Sequence, residues 1–491
     1  MKTWVKKNHF IPFIIILTAT LAYLPALNKF FHTDDWFHLR ITQVNSLEAV
    51  LNFFSFSPTG QTASFYRPIP TQLFFFIFQR LFGLKAFFYH GFILLVFSFS
   101  LYLAYRLFTM LAKKQIIAYI ALFIYAFSVT HFTQVFFISA FQELVLVVFS
   151  LLTILAYFKE IKIFKKHQVI STLVFFTLAL ASKETAVIIP FLILVIDFLQ
   201  KKKFDKKWLI FLPILFIYLI LRFFVFGFNH TTEATTSYQL NLSPKKALNT
   251  VFWYGFWSLG APELLVDYVS SGFKILPRFF SDYEKLAKPL LSLLSTTIIS
   301  LIAISIFNLI YFYKHKTKGK QTFQLILVGS LFFFISLTPL IPFPTHKFTL
   351  ELGLPMIGVA LVISALLAQL KPVYRWLFLC LFLVTNTLAY YLTYQTHYSI
   401  RRALIAQKVY QTIKTQYPSC PNQSLYFIND IPSPNQNWGV SKQISQALNK
   451  DDFFKVIYRC QNLKVYYQDD SNLDKDRQNK LIKLKSSQFI R

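Results

Sequence analysis

The chain has 491 residues, of which 55% are hydrophobic and only 14% are charged, and its mean hydropathy is +0.48. These values exclude a soluble protein of this length, because its surface would leave too much apolar area facing water. The net charge of +29 does not indicate a nucleic-acid partner, because most basic residues fall in short loops between apolar runs. We therefore expect a polytopic helical membrane protein that binds no nucleic acid.

Eleven membrane spans are predicted, give or take one. The first, at about 10–27, lacks a small-residue cleavage site and is expected to stay as an anchor rather than leave as a signal peptide. The others are predicted at about 86–110, 115–130, 136–158, 168–182, 185–200, 208–226, 288–313, 322–340, 352–370 and 373–392.

Lysine-rich loops recur at alternate connections, at 113–114, 159–166, 201–207 and 314–320. Cytoplasmic loops carry an excess of Lys and Arg, so these loops are assigned to the cytoplasm. The N-terminus is then cytoplasmic and the C-terminus extracytoplasmic, in a multi-pass protein of the cell membrane.

Two outer loops, 28–85 and 227–287, belong to the predicted transmembrane module at 1–392. The first loop holds the adjacent carboxylates Asp34 and Asp35. A charged pair just outside a bilayer favours acid/base chemistry at the membrane surface. The apolar run Thr71–Phe82 is short for a span and predicts an interfacial or re-entrant helix.

The tail, 393–491, is polar and predicts a small extracytoplasmic α/β domain. Short strands are expected at Leu425–Asn429, Phe453–Tyr458 and Leu463–Tyr467, with a helix at Ser441–Leu448. Cys420 and Cys460 both fall in this tail, where an oxidising exterior would let them pair, although they could equally stay reduced.

Ionisable and polar residues gather at the outer ends of the spans. They are His90, His131, Gln134, Gln142, Glu143, Lys183, Glu184, Arg222, His346, Lys347 and Glu351. Polar groups at membrane depth usually line a cavity or a ligand path. Cationic side chains there would hold phosphate oxygens, and a carboxylate would deprotonate an attacking hydroxyl. This combination favours sugar transfer from a polyprenyl phosphate or diphosphate, and no Gly-rich nucleotide loop occurs.

Several short motifs follow one another in a consistent order along residues 5–370. They are Asp34-Asp35-Trp36, Arg67-Pro68-Ile69, Phe82-Gly83-Leu84 with Tyr89-His90, His131-Phe132-Thr133-Gln134-Val135, Ser182-Lys183-Glu184 with Pro190 and Asp197, Pro262 with Asp267-Tyr268, and His346-Lys347-Phe348 with Leu354-Pro355. With these motifs the chain resembles the GT-C superfamily of integral-membrane glycosyltransferases, in particular bacterial relatives of the protein O-mannosyltransferases. Two positions differ in charge from the family pattern: Gln134 stands where Glu is expected, and His346-Lys347 stands where Glu-Arg is common.

The resemblance implies a GT-C fold and a hexosyl- or pentosyltransferase with a lipid-linked donor. The acceptor would be a hydroxyl of a protein or glycan outside the cytoplasm. Asp34 would be the catalytic base, and Asp35 would orient the acceptor or bind a metal. No cofactor is certain, and a divalent metal ion stays an open alternative. Substrate-binding roles are implied for Arg67, His90, His131, Gln134, Lys183, Glu184, Arg222, His346 and Lys347.

Structural alternatives exist for several of these residues. Asp34 and Asp35 could cap the helix that follows them, since Asp is a preferred N-cap residue. Arg67 could hold phosphate or pair with an aspartate, and Arg222 could serve as an interfacial anchor. At the level of the whole protein, the rivals are a lipid flippase or transporter without transferase chemistry, and a surface-polysaccharide ligase or polymerase with a diphosphate-linked donor.

Overall fold

A computed structural model describes residues 9–56, 65–112, 114–159, 168–201, 206–226, 239–270, 272–314, 319–432, 439–460, 462–470 and 481–490. The described chain is mainly helical. Its α-helices are α1 (Phe10–Ala22), α2 (Asp34–Ile41), α3 (Leu47–Leu51), α4 (Phe74–Phe82), α5 (Ala86–Leu111), α6 (Gln115–Ala126), α7 (Phe132–Phe136), α8 (Phe141–Tyr157), α9 (Gln168–Leu180), α10 (Ile189–Lys201), α11 (Leu212–Phe226), α12 (Pro244–Ser258), α13 (Pro277–Asp282), α14 (Glu284–Lys314), α15 (Lys320–Leu337), α16 (Pro355–Leu367), α17 (Pro372–Thr396), α18 (Tyr398–Gln416), α19 (Val440–Leu448), α20 (Asp452–Tyr458) and α21 (Ser487–Ile490).

All eleven predicted spans coincide with helices. Among the described residues, seven helices are long and apolar enough to cross a membrane, and the pair Gln115–Ala126 and Val129–Phe136, bent by 48°, makes an eighth if it is one span. Helices α9, α10 and α16 have 13 residues each, about 20 Å of helix, which is less than a bilayer core. The chain is a multi-pass membrane protein. Most lysines of the predicted cytoplasmic loops lie outside the described residues.

The short helix α16 is packed closely against α15. A Cβ atom built on Gly358 would lie 2.4 Å from the backbone oxygen of Gly329, so neither glycine leaves room for a side chain. Small residues let two membrane helices approach this closely, and the contact then stabilises the pair by backbone packing. This packing accommodates a helix that is too short to span the bilayer unaided.

The apolar run in the first outer loop forms the expected short helix. A π-helical turn at Pro68–Leu73 leads into α4, and both lie between the first two long helices. In the second outer loop, α12 covers the apolar stretch before the short 3-10 helix Glu263–Tyr268.

The tail contains a small parallel sheet of three described strands. They are β1 (Leu425–Ile428), β2 (Val465–Tyr467) and β3 (Ile482–Lys485), with β1 in the centre. The sequence predicts β1, β2 and α19 but not β3. Cys420 and Cys460 form a disulfide.

The strand predicted at Phe453–Tyr458 is wrong, because this segment is part of helix α20. Its aromatic and β-branched residues favour a strand by propensity. However, the buried positions Phe453, Phe454 and Val456 fall on one helical face, and Asp452 in the first turn suits the positive end of the helix dipole.

The tail packs directly on the first outer loop. Trp36 of α2 contacts the Phe453 ring edge-on, with centroids 4.7 Å apart. Arg40 forms an ion pair with Asp452 at 2.5 Å. The backbone N–H of Thr33 donates to the carbonyl of Ala447 at 2.8 Å. Helix α2 is therefore held between the membrane helices and the tail.

Replacing Gly358 with Ala tests the α15–α16 contact. We expect a lower thermal midpoint in detergent, corresponding to about 1–3 kcal/mol of overpacking. The control is Gly255→Ala in α12, where nothing lies within 4 Å of the new Cβ. That variant should be neutral or slightly stabilising, since Ala is the better helix former. Equal midpoints for the two variants would contradict the close contact.

Candidate active site

Asp35 is fully buried, and its carboxylate accepts hydrogen bonds from both sides. Oδ2 accepts from the backbone N–H of His32 at 3.0 Å. Oδ1 accepts from the backbone N–H and the hydroxyl of Ser139 at 2.8 and 2.5 Å. Burial raises the pKa of Asp35 to about 7, although the bonds from Ser139 and His32 act to lower it. The side chain thus joins the first outer loop to the turn that precedes α8.

Thr33, between His32 and the aspartate pair, has a strained backbone. Thr33 adopts φ 52° and ψ −124°, a conformation that a β-branched residue rarely takes and that costs about 1–3 kcal/mol. The Asp35 bonds on one side and the bond from Thr33 to Ala447 on the other hold this conformation. Strain of this kind is common at functional sites, where the fold imposes a geometry on a particular side chain.

Asp34, which follows Thr33, is exposed to solvent. Protein atoms nevertheless surround it, and this desolvation raises its pKa; Arg402 of α18 opposes the shift, whereas Asp452 of α20 adds to it. The carboxylate is therefore partly desolvated by the protein but still reached by water. Helix α2 begins at Asp34 with no side-chain cap from Thr33, and Asp35 bonds to backbone before the helix rather than capping it.

A second group of charges surrounds Arg67. Its Nε donates to Glu184 Oε2 at 2.8 Å, and a second guanidinium nitrogen bonds to Glu184 Oε1. The third nitrogen donates to Gln142 at 2.8 Å, and the group lies over the ring of Phe65. Burial alone would raise the pKa of Glu184, but Arg67 and Lys183 lower it to about 2. Arg67 is thus engaged by a carboxylate of the α9–α10 connection.

Lys183 is buried next to this pair and contacts two carboxylates. Its ammonium donates to Glu143 and lies 3.7 Å from Glu351. Burial alone would lower the pKa of Lys183, but Glu143 and Glu351 raise it. Tyr254 of α12 donates to the other oxygen of Glu351. Burial raises the pKa of Glu351 to about 7, and the charge of Lys183 opposes this.

His346 and Lys347 border this group. His346 Nε2 lies 3.7 Å from Glu351, and Lys347 donates to the neutral oxygen of Asn249 at 2.8 Å. Burial, followed by the charges of Lys183 and Arg67, lowers the pKa of His346 to about 3. Burial also lowers the pKa of Lys347. The shift of Lys347 reflects burial alone, whereas the charges of Lys183 and Arg67 add to the effect of burial at His346.

The remaining predicted residues lie inside the helix packing. His90 Nδ1 is 3.2 Å from the carbonyl oxygen of Val135. His131 Nε2 donates to the carbonyl of Tyr125 at 2.8 Å, and its Nδ1 is 3.1 Å from Gln134. Gln134 in turn donates to the carbonyl of Leu350 at 2.5 Å. These three side chains are fully or almost fully buried and connect α5 and α7 to the segment before α16.

Arg222 lies on α11 one turn beyond Tyr218. Arg222, Glu184 and Arg67 all interact electrostatically with the Tyr218 hydroxyl, which places Arg222 at the edge of the charge group around Arg67.

The short helix Thr349–Leu352 lies between Glu263 and the polar residues around Lys183. At one end, Thr349 donates through its backbone N–H to Glu263 at 2.7 Å. Glu263 also lies 3.9 Å from His397, which is at the α17–α18 junction and precedes Arg402 in sequence. At the other end, Glu351 contacts Lys183 and His346. One segment therefore contacts Glu263 at one end and the residues around Lys183 at the other.

Sequence reasoning did not single out four of the polar residues described here. They are Tyr254, Glu263, His397 and Arg402. His397 and Arg402 follow the last predicted span and were assigned to the tail, although α18 continues almost directly from α17. Across the described ranges, no group of three or more His, Cys, Asp or Glu side chains is arranged to hold a metal ion.

Comparisons with known proteins give one structural likeness of note. No protein-family model and no curated protein matches the chain. A solved structure of the Archaeoglobus fulgidus oligosaccharyltransferase, tethered by a disulfide to an acceptor peptide with an NVT sequon, superimposes with a TM-score of 0.46 and 12% sequence identity. The alignment covers 94% of this chain and 64% of that chain, so this chain spans less than two thirds of the other's length.

The isosteric replacements Asp35→Asn and Asp34→Asn should differ sharply in stability. An amide at position 35 places an NH₂ group against a buried donor, which should cost about 1–3 kcal/mol. An amide at position 34 changes an exposed side chain and should leave the thermal midpoint in detergent nearly unchanged. A midpoint loss for Asp34→Asn as large as that for Asp35→Asn would contradict these assignments.

Proposed function

We propose that the chain is a membrane glycosyltransferase of the GT-C type that moves a sugar from a polyprenyl-phosphate-linked donor to a hydroxyl of a protein or glycan outside the cytoplasm. The observation that carries the proposal is the placement of Asp34. Its carboxylate is exposed, follows a strained residue and is within electrostatic reach of Arg402. A carboxylate of raised pKa that water can reach is suited to accept a proton.

In this proposal Asp34 takes the proton of the acceptor hydroxyl while that oxygen attacks C1 of the sugar. The bond from C1 to the donor's phosphate oxygen breaks, and the phosphate leaves with the bonding electrons. The step is balanced, because the acceptor gains the sugar and loses a proton to Asp34, and the lipid phosphate gains a negative charge. No step requires a nucleotide or a redox partner.

The leaving phosphate would lie against His346 and Lys347. Arg67 and Lys183 are engaged by Glu184, Glu143 and Glu351, so their charges are largely offset and they would act by holding this part of the site in place. Lys347 bonds a neutral amide and keeps its charge available for a phosphate oxygen. Burial, with the charges of Lys183 and Arg67, lowers the pKa of His346, and the neutral ring could donate one hydrogen bond. Electrostatic stabilisation of developing charge is usually the largest catalytic contribution.

Asp34→Asn should reduce sugar transfer by about 10²–10⁴-fold, the usual contribution of a general base. The assay uses detergent-purified full-length protein with polyprenyl-phosphate mannose, glucose or arabinose. Glu48→Gln is the control, since Glu48 is an exposed carboxylate of the same outer loop on α3. Equal turnover by wild type and Asp34→Asn would reject Asp34 as the base. Lipid movement across vesicles without donor consumption would favour the flippase alternative.

The pH dependence of transfer tests the role of Arg402. Asp34 must be deprotonated to act as a base, so the rate should rise with pH through its pKa. The Arg402 charge acts to lower the pKa of Asp34. In Arg402→Gln that pKa rises further, so the acid limb of kcat/KM should move to higher pH.

Arg401→Gln is the matched control, because Arg401 is the exposed neighbour on α18. Its acid limb should coincide with that of the wild type. A wild-type acid limb in Arg402→Gln would show that Arg402 does not act on the catalytic carboxylate.

A further inference from the structure

A cationic cavity opens where the first outer loop meets the tail. Its volume is about 510 Å³, and its charged lining residues are Arg40, Arg80, Lys455 and Arg459. No acidic side chain is among its lining residues. The cavity is on the far end of α2 from Asp34, six residues along the helix, and is about 9 Å away by helix rise.

The positive charge of the cavity is only partly compensated. Arg40 is paired with Asp452 at 2.5 Å, and Lys455 is paired with Asp451 at 2.6 Å. Arg80 donates to two neutral oxygens, the Val44 carbonyl and the Asn45 side chain. The side chain of Arg459 has no hydrogen bond or ion pair with any residue that the structure describes. Two guanidinium groups therefore face the cavity without a counter-charge.

The fold holds the guanidinium of Arg80 in place and fixes the backbone of Arg459. The guanidinium of Arg80 is fixed by its bonds to Val44 and Asn45 and lies 5.5 Å from the centre of the Phe76 ring. Arg459 ends α20 in a left-handed conformation with φ 55°, directly before Cys460 of the disulfide. Pre-positioned guanidinium groups recognise phosphate through paired N–H donors with little loss of freedom.

Large apolar side chains beside the cavity indicate where its ligand comes from. Leu47 and Leu51 on α3 are 75% and 62% exposed, and Leu81, next to Arg80 on α4, is 67% exposed. Such residues would be removed from water by entering the apolar edge of a bilayer, as residues on interfacial helices are. The cavity then opens at the level of the lipid head groups.

We propose that this cavity binds the phosphate of an anionic membrane lipid between Arg80 of α4 and Arg459 of the tail. The site is separate from Asp34 and does not rest on the proposed transfer reaction. Lipid binding here would fasten the tail to the membrane surface, because one arginine belongs to the outer loop and the other to the tail.

The test compares Arg80→Gln/Arg459→Gln with Lys464→Gln/Lys483→Gln, a control that removes two charges from exposed tail lysines. Full-length protein in detergent is titrated with phosphatidylglycerol in mixed micelles, with phosphatidylcholine and inorganic phosphate as separate probes. Binding is measured by native mass spectrometry and by the thermal midpoint. We expect phosphatidylglycerol to bind about tenfold or more weakly to the arginine variant, since each charge-assisted bond is strong.

The same measurements define the contrary results. If inorganic phosphate binds the wild type as tightly as phosphatidylglycerol does, the lipid assignment is overturned. Equal loss of phosphatidylglycerol binding in the arginine and lysine variants would also overturn it, by showing a non-specific charge effect. The single variant Arg459→Gln keeps the test decisive if the double variant does not fold, because this exposed side chain supports no described contact.

Discussion

The hydrogen bonds of Asp35 fix the geometry on which the candidate active site depends. This carboxylate accepts from His32 and Ser139, so it ties the first outer loop to the turn before α8. Gln142, one turn further on α8, holds Arg67, which belongs to the same loop. Two points of the loop are thus anchored at the start of α8, one in the turn before it and one on its first turn. With its neighbour committed to this role, Asp34 is left as the member of the pair that faces solvent.

Charge pairing explains why so many ionisable groups can be buried together. Burying an unpaired charge is costly, and here Arg67 and Lys183 each meet carboxylates that offset their desolvation. The pairs cancel most of the charge around Arg67 and Lys183, and Lys347 beside them bonds only a neutral amide oxygen. An anionic group would therefore find a cation without a carboxylate partner at Lys347 rather than among the buried pairs.

The sequence predicts the spans and the polar clusters, because both depend on local composition. It selects Asp34 and Asp35 as a pair but does not distinguish their environments, since the partner of Asp35 is Ser139, far along the chain. The environment of Gln134 also depends on a distant contact, because its amide donates to the carbonyl of Leu350. The misassigned strand in the tail shows the same limit, because burial against α2 overrides the propensity of Phe453.

The tail contributes to the candidate active site through Ala447, Asp452 and Phe453. Its Ala447 carbonyl holds the strained Thr33, and its Asp452 acts on Asp34 while pairing with Arg40. A strained backbone persists only where surrounding contacts over-determine it. Losing the tail would remove the bond to Ala447 and the aromatic contact at Trp36 together, leaving the Asp35 bonds to oppose the strain alone. The orientation of Asp34 is therefore a joint property of membrane helices and tail, which is why neither part alone defines the site.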